Sequence, residues 1–182
     1  MPHSIGVDQG LSGGLCWLTG LLPTDPQHVI TMPTRKAVGS NRPDTRKLKD
    51  WVGNLIREYG MPDIVVIERT QAMGSRKEGG GQSGGQQSPK SLVTQGFNAG
   101  IIVCLFEFMD LPIEEPAPQT WKAAVLKGFG KKDKDAMITV CRQRFPQLAL
   151  RSGPRAKKDH DGMADAVGLA LFGQYRVGNV PT

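Results

Sequence analysis

Asp8 directly follows the apolar stretch 4–7, Glu68 closes the β-branched run Ile64-Val65-Val66-Ile67, and Asp161 and Asp165 stand four apart near the C-terminal end. On a helix a spacing of four puts two side chains on one face, about one turn apart. The carboxyl ends of strands are where ligands collect in open α/β sheets. Acids gathered there repel one another and are costly to desolvate, so they require a compensating positive charge. Mg²⁺ or Mn²⁺ suits such a set, since both prefer carboxylate and water oxygens and the acids have no Cys or His cluster beside them. Two ions roughly 3.5–4 Å apart activate a water on one side of a phosphodiester and stabilise the leaving oxygen on the other, so the implied chemistry is phosphoryl transfer. Each acid also has a structural alternative. Asp8 can be a turn residue before Gly10, Glu68 an ion-pair partner of Arg69, and Asp161 a helix cap. Asp165 is hardest to explain that way, because it lies in an Ala-rich, otherwise apolar helix face.

The elements that must position these acids are legible in the hydrophobic pattern. Residues 4–7 and 15–18 read as strands of a hairpin joined through the glycine-rich segment 9–14, and residues 28–32 supply a third strand. Asp44 can cap a helix to about Tyr59, with Leu48, Trp51, Val52, Leu55 and Ile56 on one face and Gly60 after it. Residues 64–67 read as a strand buried on both faces, as parallel strands are. Segment 74–90 has six glycines and no apolar anchor, so a mobile loop is expected there. Helix periodicity returns over 92–108, a short strand fits 112–115, and further helices fit 120–127, 133–145 and from about Asp161 onward. Ala164, Val167, Gly168, Leu171 and Phe172 form the buried face of the last one. This order predicts an α/β domain with a mixed sheet, without internal repeats.

At 182 residues the chain is the size of one domain, with 38% hydrophobic and 22% charged residues, as in soluble globular proteins. The apolar run 99–106 is too short to span a bilayer, and the N-terminus has no signal-peptide pattern, so a cytoplasmic protein without a membrane partner is expected. Cys16, Cys104 and Cys141 are far apart among apolar neighbours and read as buried thiols. Formal net charge is +6, unevenly spread: residues 122–158 hold eleven Lys or Arg against Asp133 and Asp135, so that region is +9 and the remainder −3. Such asymmetry fits a polyanion bound on one side; a solvated basic face is the alternative.

The segment Ile5-Gly6-Val7-Asp8-Gln9-Gly10-Leu11-Ser12-Gly13-Gly14 resembles the first-strand motif of RuvC-type junction resolvases, with Gln9 where that motif has proline. Val66-Ile67-Glu68 resembles their second catalytic segment, and Gly162-Met163-Ala164-Asp165-Ala166-Val167-Gly168-Leu169-Ala170 their closing helix. Pro118-Gln119-Thr120-Trp121-Lys122, with Lys157 and Lys158 ahead of the acidic helix, is similar to the branch holding phage-type and plant chloroplast resolvases. The resemblance implies one RNase H-like domain over residues 1–182, a mixed five-stranded sheet flanked by helices. It implies a homodimer that resolves four-way DNA junctions by paired nicks leaving 5′-phosphate and 3′-hydroxyl ends, in a bacterial, phage-infected or organellar setting. Asp8, Glu68, Asp161 and Asp165 become the ligands of two metal ions. In many members the last two ligands are three apart, a spacing that falls on Gly162 here, so His160 competes with Asp161. Lys157 or Lys158 would stabilise charge at the scissile phosphate, and Lys122, Lys131, Lys132 and Lys134 would hold the junction arms. Arg69, Arg76 and Lys77 are further DNA-contact candidates. Met73 stands where the family often carries an aromatic wedge.

Three other classes share parts of this pattern. Sugar kinases and actin-like ATPases also open with a strand, an acid and glycines, but they duplicate the unit, and this chain has no second copy or later phosphate loop. A nuclease acting on RNA/DNA hybrids or other branched DNA would use the same acids. A non-catalytic DNA-binding module would need only the basic tract.

Overall fold

The computed structural model describes residues 1–37, 40–70, 89–129 and 135–178. In chain order, β1 (His3–Asp8), β2 (Gly14–Thr19) and β3 (Gln27–Thr31) are followed by a ribbon of β4 (Thr34–Ala37) and β5 (Ser40–Pro43), α1 (Thr45–Tyr59) and β6 (Ile64–Ile67). Then come α2 (Pro89–Phe108), β7 (Ile113–Glu114), α3 (Pro118–Val125), α4 (Ala136–Arg144) and α5 (Asp161–Val177). The main sheet has the order β3-β2-β1-β6-β7. β1, β2 and β3 form an antiparallel meander, while β6 pairs parallel to β1 and β7 parallel to β6. The expected mixed five-stranded sheet is therefore present.

Period-two alternation divides the strands between two cores. Ile5, Val7, Leu15, Trp17, Val65 and Ile67 face α1 and α2, meeting Leu48, Val52, Leu55, Ile102 and Phe106. Cys16, Leu18, Ile64 and Val66 face the opposite layer, where α5 lies on the sheet with Trp121 and Val125 of α3 and Met137 and Val140 of α4 around it. At Gly6 a Cβ would stand 2.1 Å from the Ala166 carbonyl oxygen, so only glycine allows α5 to lie directly on β1. Two buried polar side chains fix this seat. Ser4 Oγ donates to the Ala170 carbonyl at 2.8 Å, and Gln174 Nε2 donates to the carbonyls of Pro2 and Leu18, both at 3.0 Å. Each such bond contributes about 1 kcal/mol net, but losing a partner costs more.

The helix boundaries agree with the sequence pattern to within a few residues. α1 is capped by Asp44, which accepts from the Lys47 N–H, and ends at Gly60 with φ +95°. One expectation is extended, one is corrected and one element is additional. α5 buries far more than one stripe: residues 162–164 and 166–175 are all buried, because α3 and α4 close over the side turned from the sheet. Cys104 is exposed while Cys16 and Cys141 are buried; its apolar neighbours Val103 and Leu105 indicate a helix but not which way one residue of it faces. The ribbon β4–β5 was not anticipated, its residues being largely polar and exposed. Of the glycine-rich segment expected as a loop, residues 89 and 90 open α2 and the rest lies outside the described residues.

α2 is apolar on two faces. Asn98, Ile102 and Phe106 are buried against the sheet, whereas Val93 (73% exposed), Phe97 (51%), Cys104 and Phe108 (91%) form a stripe on the outer side. By length and composition alone the stretch Lys90–Phe108 is apolar enough to cross a membrane, a property the shorter run 99–106 did not reveal. Its inner face nevertheless packs in the core beneath β1 and β6.

Candidate active site

The first acid is placed by a turn of glycines. Asp8 ends β1, and its Oδ1 accepts from the Gly10 N–H at 3.2 Å, while the Gly13 N–H returns to the Gly10 carbonyl at 2.8 Å. Asp8 thus also fills the turn role that its sequence context allowed. Gly13 forms a parallel bridge with Gly162 at the start of α5. A Cβ on Gly162 would meet the Gly13 Cα at 2.5 Å, and one on Gly13 would meet the Asp8 carbonyl oxygen at 2.1 Å. Backbone against backbone, these two glycines bring the acidic start of α5 to the end of β1. They also explain why no side-chain ligand stands at position 162, leaving the acid one residue earlier at Asp161.

The second acid lies across from the first because β6 pairs parallel to β1, with Val7 opposite Ile67. Gln9 ties the two strand ends together: its Nε2 donates to the Glu68 carbonyl at 2.6 Å and to Thr70 Oγ1. Glu68 Oε2 accepts from the indole Nε1 of Trp121 at 2.8 Å, not from Arg69 as the structural alternative had it. From the next position on α3, Lys122 reaches Asp165 at 3.2 Å, with its ammonium also 4.9 Å from the Trp121 ring centre. Asp165 is the one residue of the otherwise buried stretch 162–175 that is partly open. A cavity of about 280 Å³ runs along Lys122, Asp161 and Asp165, floored by Ala136, Met137 and Leu126.

Electrostatics couple these groups. Burial pushes the Asp8 carboxyl up from 3.8 to about 6, with Asp165 and Glu68 adding repulsion against the Gly10 hydrogen bond and the Lys122 charge. Glu68 and Asp165 are also raised, each chiefly by burial; Trp121 and Lys122 oppose the shift at Glu68, and Lys122 opposes it at Asp165. Asp161 raises Asp165 further. The donor set is of the kind a hard divalent cation takes: carboxylate oxygens that repel one another until a cation joins them. Among the described residues no three acids, histidines or cysteines stand close enough together to hold an ion.

Asp8, Glu68 and Asp165 are close enough to repel one another, whereas Asp161 acts on Asp165 alone. His160 caps α5, its Nδ1 accepting from the Met163 N–H at 3.3 Å. Asp161, exposed, is the first helical residue rather than the cap. Lys122, expected on a junction arm, instead stands among the acids. Lys157 and Lys158 are exposed in the segment before α5, which Arg142 holds through a two-pronged pair with Asp159. Arg69 is exposed beside Glu68. Met73, Arg76, Lys77, Lys131, Lys132 and Lys134 lie outside the described residues. Sequence reasoning missed Trp121 as a partner of Glu68 and Gln9 as the clasp between strand ends. The departure of Gln9 from the motif's proline was the available signal for the second.

This sheet order, with acids at the carboxyl ends of β1 and β6 and on a final helix laid over β1, defines an RNase H-like α/β domain. No family model and no curated protein matches the sequence. Solved structures do match. Thermus thermophilus RuvC in complex with Holliday junction substrate superposes with a TM-score of 0.60 at 13% identity, over 99% of this chain and 97% of that one. A second Thermus thermophilus RuvC structure gives 0.54 at 15%, over 98% of this chain and 97% of that one. The yeast mitochondrial Holliday junction resolvase Ydc2 gives 0.57 at 12%, over 98% and 81%. At these identities the likeness is one of fold.

Proposed function

We propose that this chain is a divalent-metal-dependent endonuclease that resolves four-way DNA junctions by paired symmetric nicks, acting as a homodimer of one-domain subunits. The observation that carries the reading is the meeting of Asp8, Glu68 and Asp165 with Lys122 at one edge of an RNase H-like sheet. The structural likeness to resolvases supports the choice of substrate, and the +9 charge of residues 122–158 supports a polyanionic one.

Asp8, Glu68, Asp161 and Asp165 would hold the ions. Bound there, Mg²⁺ or Mn²⁺ supplies Lewis acidity for the attacking water and the leaving oxygen. The chain's own groups do the rest. Trp121 fixes one oxygen of Glu68. Gln9 holds the ends of β1 and β6 at a constant separation. Lys122 neutralises Asp165 before substrate arrives and offers its ammonium to a phosphate oxygen afterwards. Lys157 and Lys158, exposed ahead of α5, meet the DNA backbone, and Lys158 serves the scissile phosphate. Lys158→Ala then slows cleavage more than it weakens binding; equal losses would make it an arm contact only.

The outer stripe of α2, Val93, Phe97, Cys104 and Phe108, is the surface assigned to the second copy. Exposed apolar side chains repeating along one helix face suit a helix pairing about a two-fold axis.

The test is incubation of the purified protein with a mobile four-way junction, a linear duplex and an RNA/DNA hybrid, with and without Mg²⁺. Symmetric nicking of the junction alone, only with the metal, is expected. Cutting of the hybrid alone would replace the substrate assignment, and no cutting of any would remove the enzyme reading. Asp8→Asn should abolish nicking while junction binding persists.

A further inference from the structure

Two neighbouring side chains of α3 go to two different acids. Trp121 gives its indole N–H to Glu68 Oε2 at 2.8 Å, and Lys122 sets its ammonium 3.2 Å from Asp165 Oδ2. They differ in how firmly they are held. Trp121 is fully buried among the core residues of α4 and α5, whereas the Lys122 side chain is 39% exposed at the cavity it shares with Asp161 and Asp165. An ammonium on a flexible four-carbon stem can leave that place without disturbing the packing of α3. Partly exposed ion pairs of this kind contribute little to stability, so leaving costs little.

The charge of Lys122 reaches beyond Asp165. It draws the carboxyls of Asp8, Glu68 and Asp165 down against the burial that raises them, and among the described residues it is the one cation common to all three. One ammonium therefore stands in for the positive charge that mutually repelling acids require. A divalent cation has to compete for Asp165 with an ammonium already bound there, which also repels it. In keeping with this, no three of the described acids stand close enough together to hold an ion while Lys122 is in place. A phosphate oxygen competes for the same ammonium from the other side, because a lysine head suits phosphate as well as carboxylate.

We infer that Lys122 couples metal binding to DNA binding: its ammonium bars a divalent cation from Asp165 in the free protein, and a DNA phosphate frees the acid by drawing the ammonium to itself. The inference rests on the proposed action on DNA junctions. Lys122 is in this respect a positioning residue that acts through Asp165. Linkage makes the coupling mutual, so a bound metal raises affinity for the junction by the factor by which the junction raises affinity for the metal. The free protein then carries little metal until substrate is bound.

The experiment measures Mn²⁺ binding without DNA, from the electron paramagnetic resonance signal of the free ion, for wild type, Lys122→Met, Lys122→Gln and Lys122→Arg. Arg57→Met is the control, since it removes the same charge from the last turn of α1, which leads into the start of β6 and not its acidic end. The two neutral variants should bind Mn²⁺ about fivefold or more tighter than wild type, the lower end of ordinary coupling between sites. Lys122→Arg and Arg57→Met should stay close to wild type. Junction affinity is then compared in chelator and in Ca²⁺ at constant ionic strength. Ca²⁺ should tighten binding by wild type by a similar factor and hardly change it for the neutral variants. Mn²⁺ affinity that neither neutral variant improves, wild-type junction affinity that ignores the metal, or coupling that survives in the variants overturns the inference; continued nicking of the junction by wild type leaves the nuclease reading intact. Tighter Mn²⁺ binding and lost coupling in the variants of a protein that nicks no substrate uphold the inference and remove the nuclease. No Mn²⁺ binding by any of these proteins, with or without junction, removes both.

Discussion

Asp8 performs two tasks, closing the turn after β1 and facing the acids of β6 and α5, and its burial, with those acids adding to it, sets its proton affinity. Because its carboxyl is raised to about 6, against 3.8 for an unhindered aspartate, the metal-free folded protein binds a proton there that the unfolded chain releases. The native state therefore holds more protons between about pH 4 and 6, and the group's contribution to stability is largest at the acid end and lost as pH rises through about 6. The full effect is at most about 3 kcal/mol. In chelator, melting the protein and Asp8→Asn side by side across pH 5 to 8 should show the wild type falling relative to the variant as pH rises. Added Mg²⁺ should cancel the difference between pH values by occupying the acids. Parallel curves would mean that the Asp8 carboxyl is not buried as described. Trp121 makes a second prediction of this kind. Trp121→Phe keeps most of a fully buried ring but removes the donor to Glu68, so its stability loss should stay well below the roughly 3–5 kcal/mol of truncation to alanine. Metal-dependent cleavage should nonetheless fall at least several-fold, and an unchanged metal titration would show that Glu68 needs no such partner.

Helix and strand periodicity made the elements readable, since a period of two or of 3.6 is imprinted by burial on one side. The acids were legible as well, because a charged residue ending an apolar run breaks its own local pattern. What stayed hidden depends on pairs distant in the chain. Gly13 against Gly162 is a contact that no local window encodes, and Trp121 with Lys122 could be read as helix formers but not as neighbours of Glu68 and Asp165. α5 looked one-sided because several residues it turns to the sheet, Ala166, Ala170 and Gly173, are small and give little amphipathic signal. Gly173 is the example, lying so close to β1 and β6 that a Cβ would stand 3.0 Å from Ile64 and 3.1 Å from Ser4 and Val66. Gly162→Ala tests the glycine contact. A methyl there pushes the start of α5 away from the β1–β2 turn, at a cost of about 1–3 kcal/mol by ordinary overpacking. Junction cutting should fall by more than that stability loss accounts for, as measured on protein confirmed folded by its melting curve. Retained full activity would show that the acids tolerate a wider gap.

As an assembly, the protein is proposed to present two sites to a symmetric junction, and on that proposal the outer stripe of α2 would decide the symmetry. Arg42 lies 4.9 Å above the Phe97 ring, so the β4–β5 ribbon borders the stripe and supplies a cation beside it. Replacing Val93 and Phe97 together by glutamate places charge in the middle of the surface without touching the inner residues Ile102 and Phe106. Sedimentation should show a shift from dimer to monomer with an unchanged melting curve. Junctions should then receive single, uncoordinated nicks. A double variant that still sediments as a dimer would assign the stripe to another partner.

The seating of α5 has a consequence for biosynthesis. Strand β1 is made well before the helix that covers it, with the Ser4 hydroxyl waiting for the carbonyl of Ala170 and the carbonyl of Pro2 for the amide of Gln174. While the chain is still being translated, one side of its sheet is bare and two of its four acids do not yet exist. Folding is then a late, long-range closure, and on the proposed nuclease reading a nascent chain is harmless to DNA until its closing segment has left the ribosome.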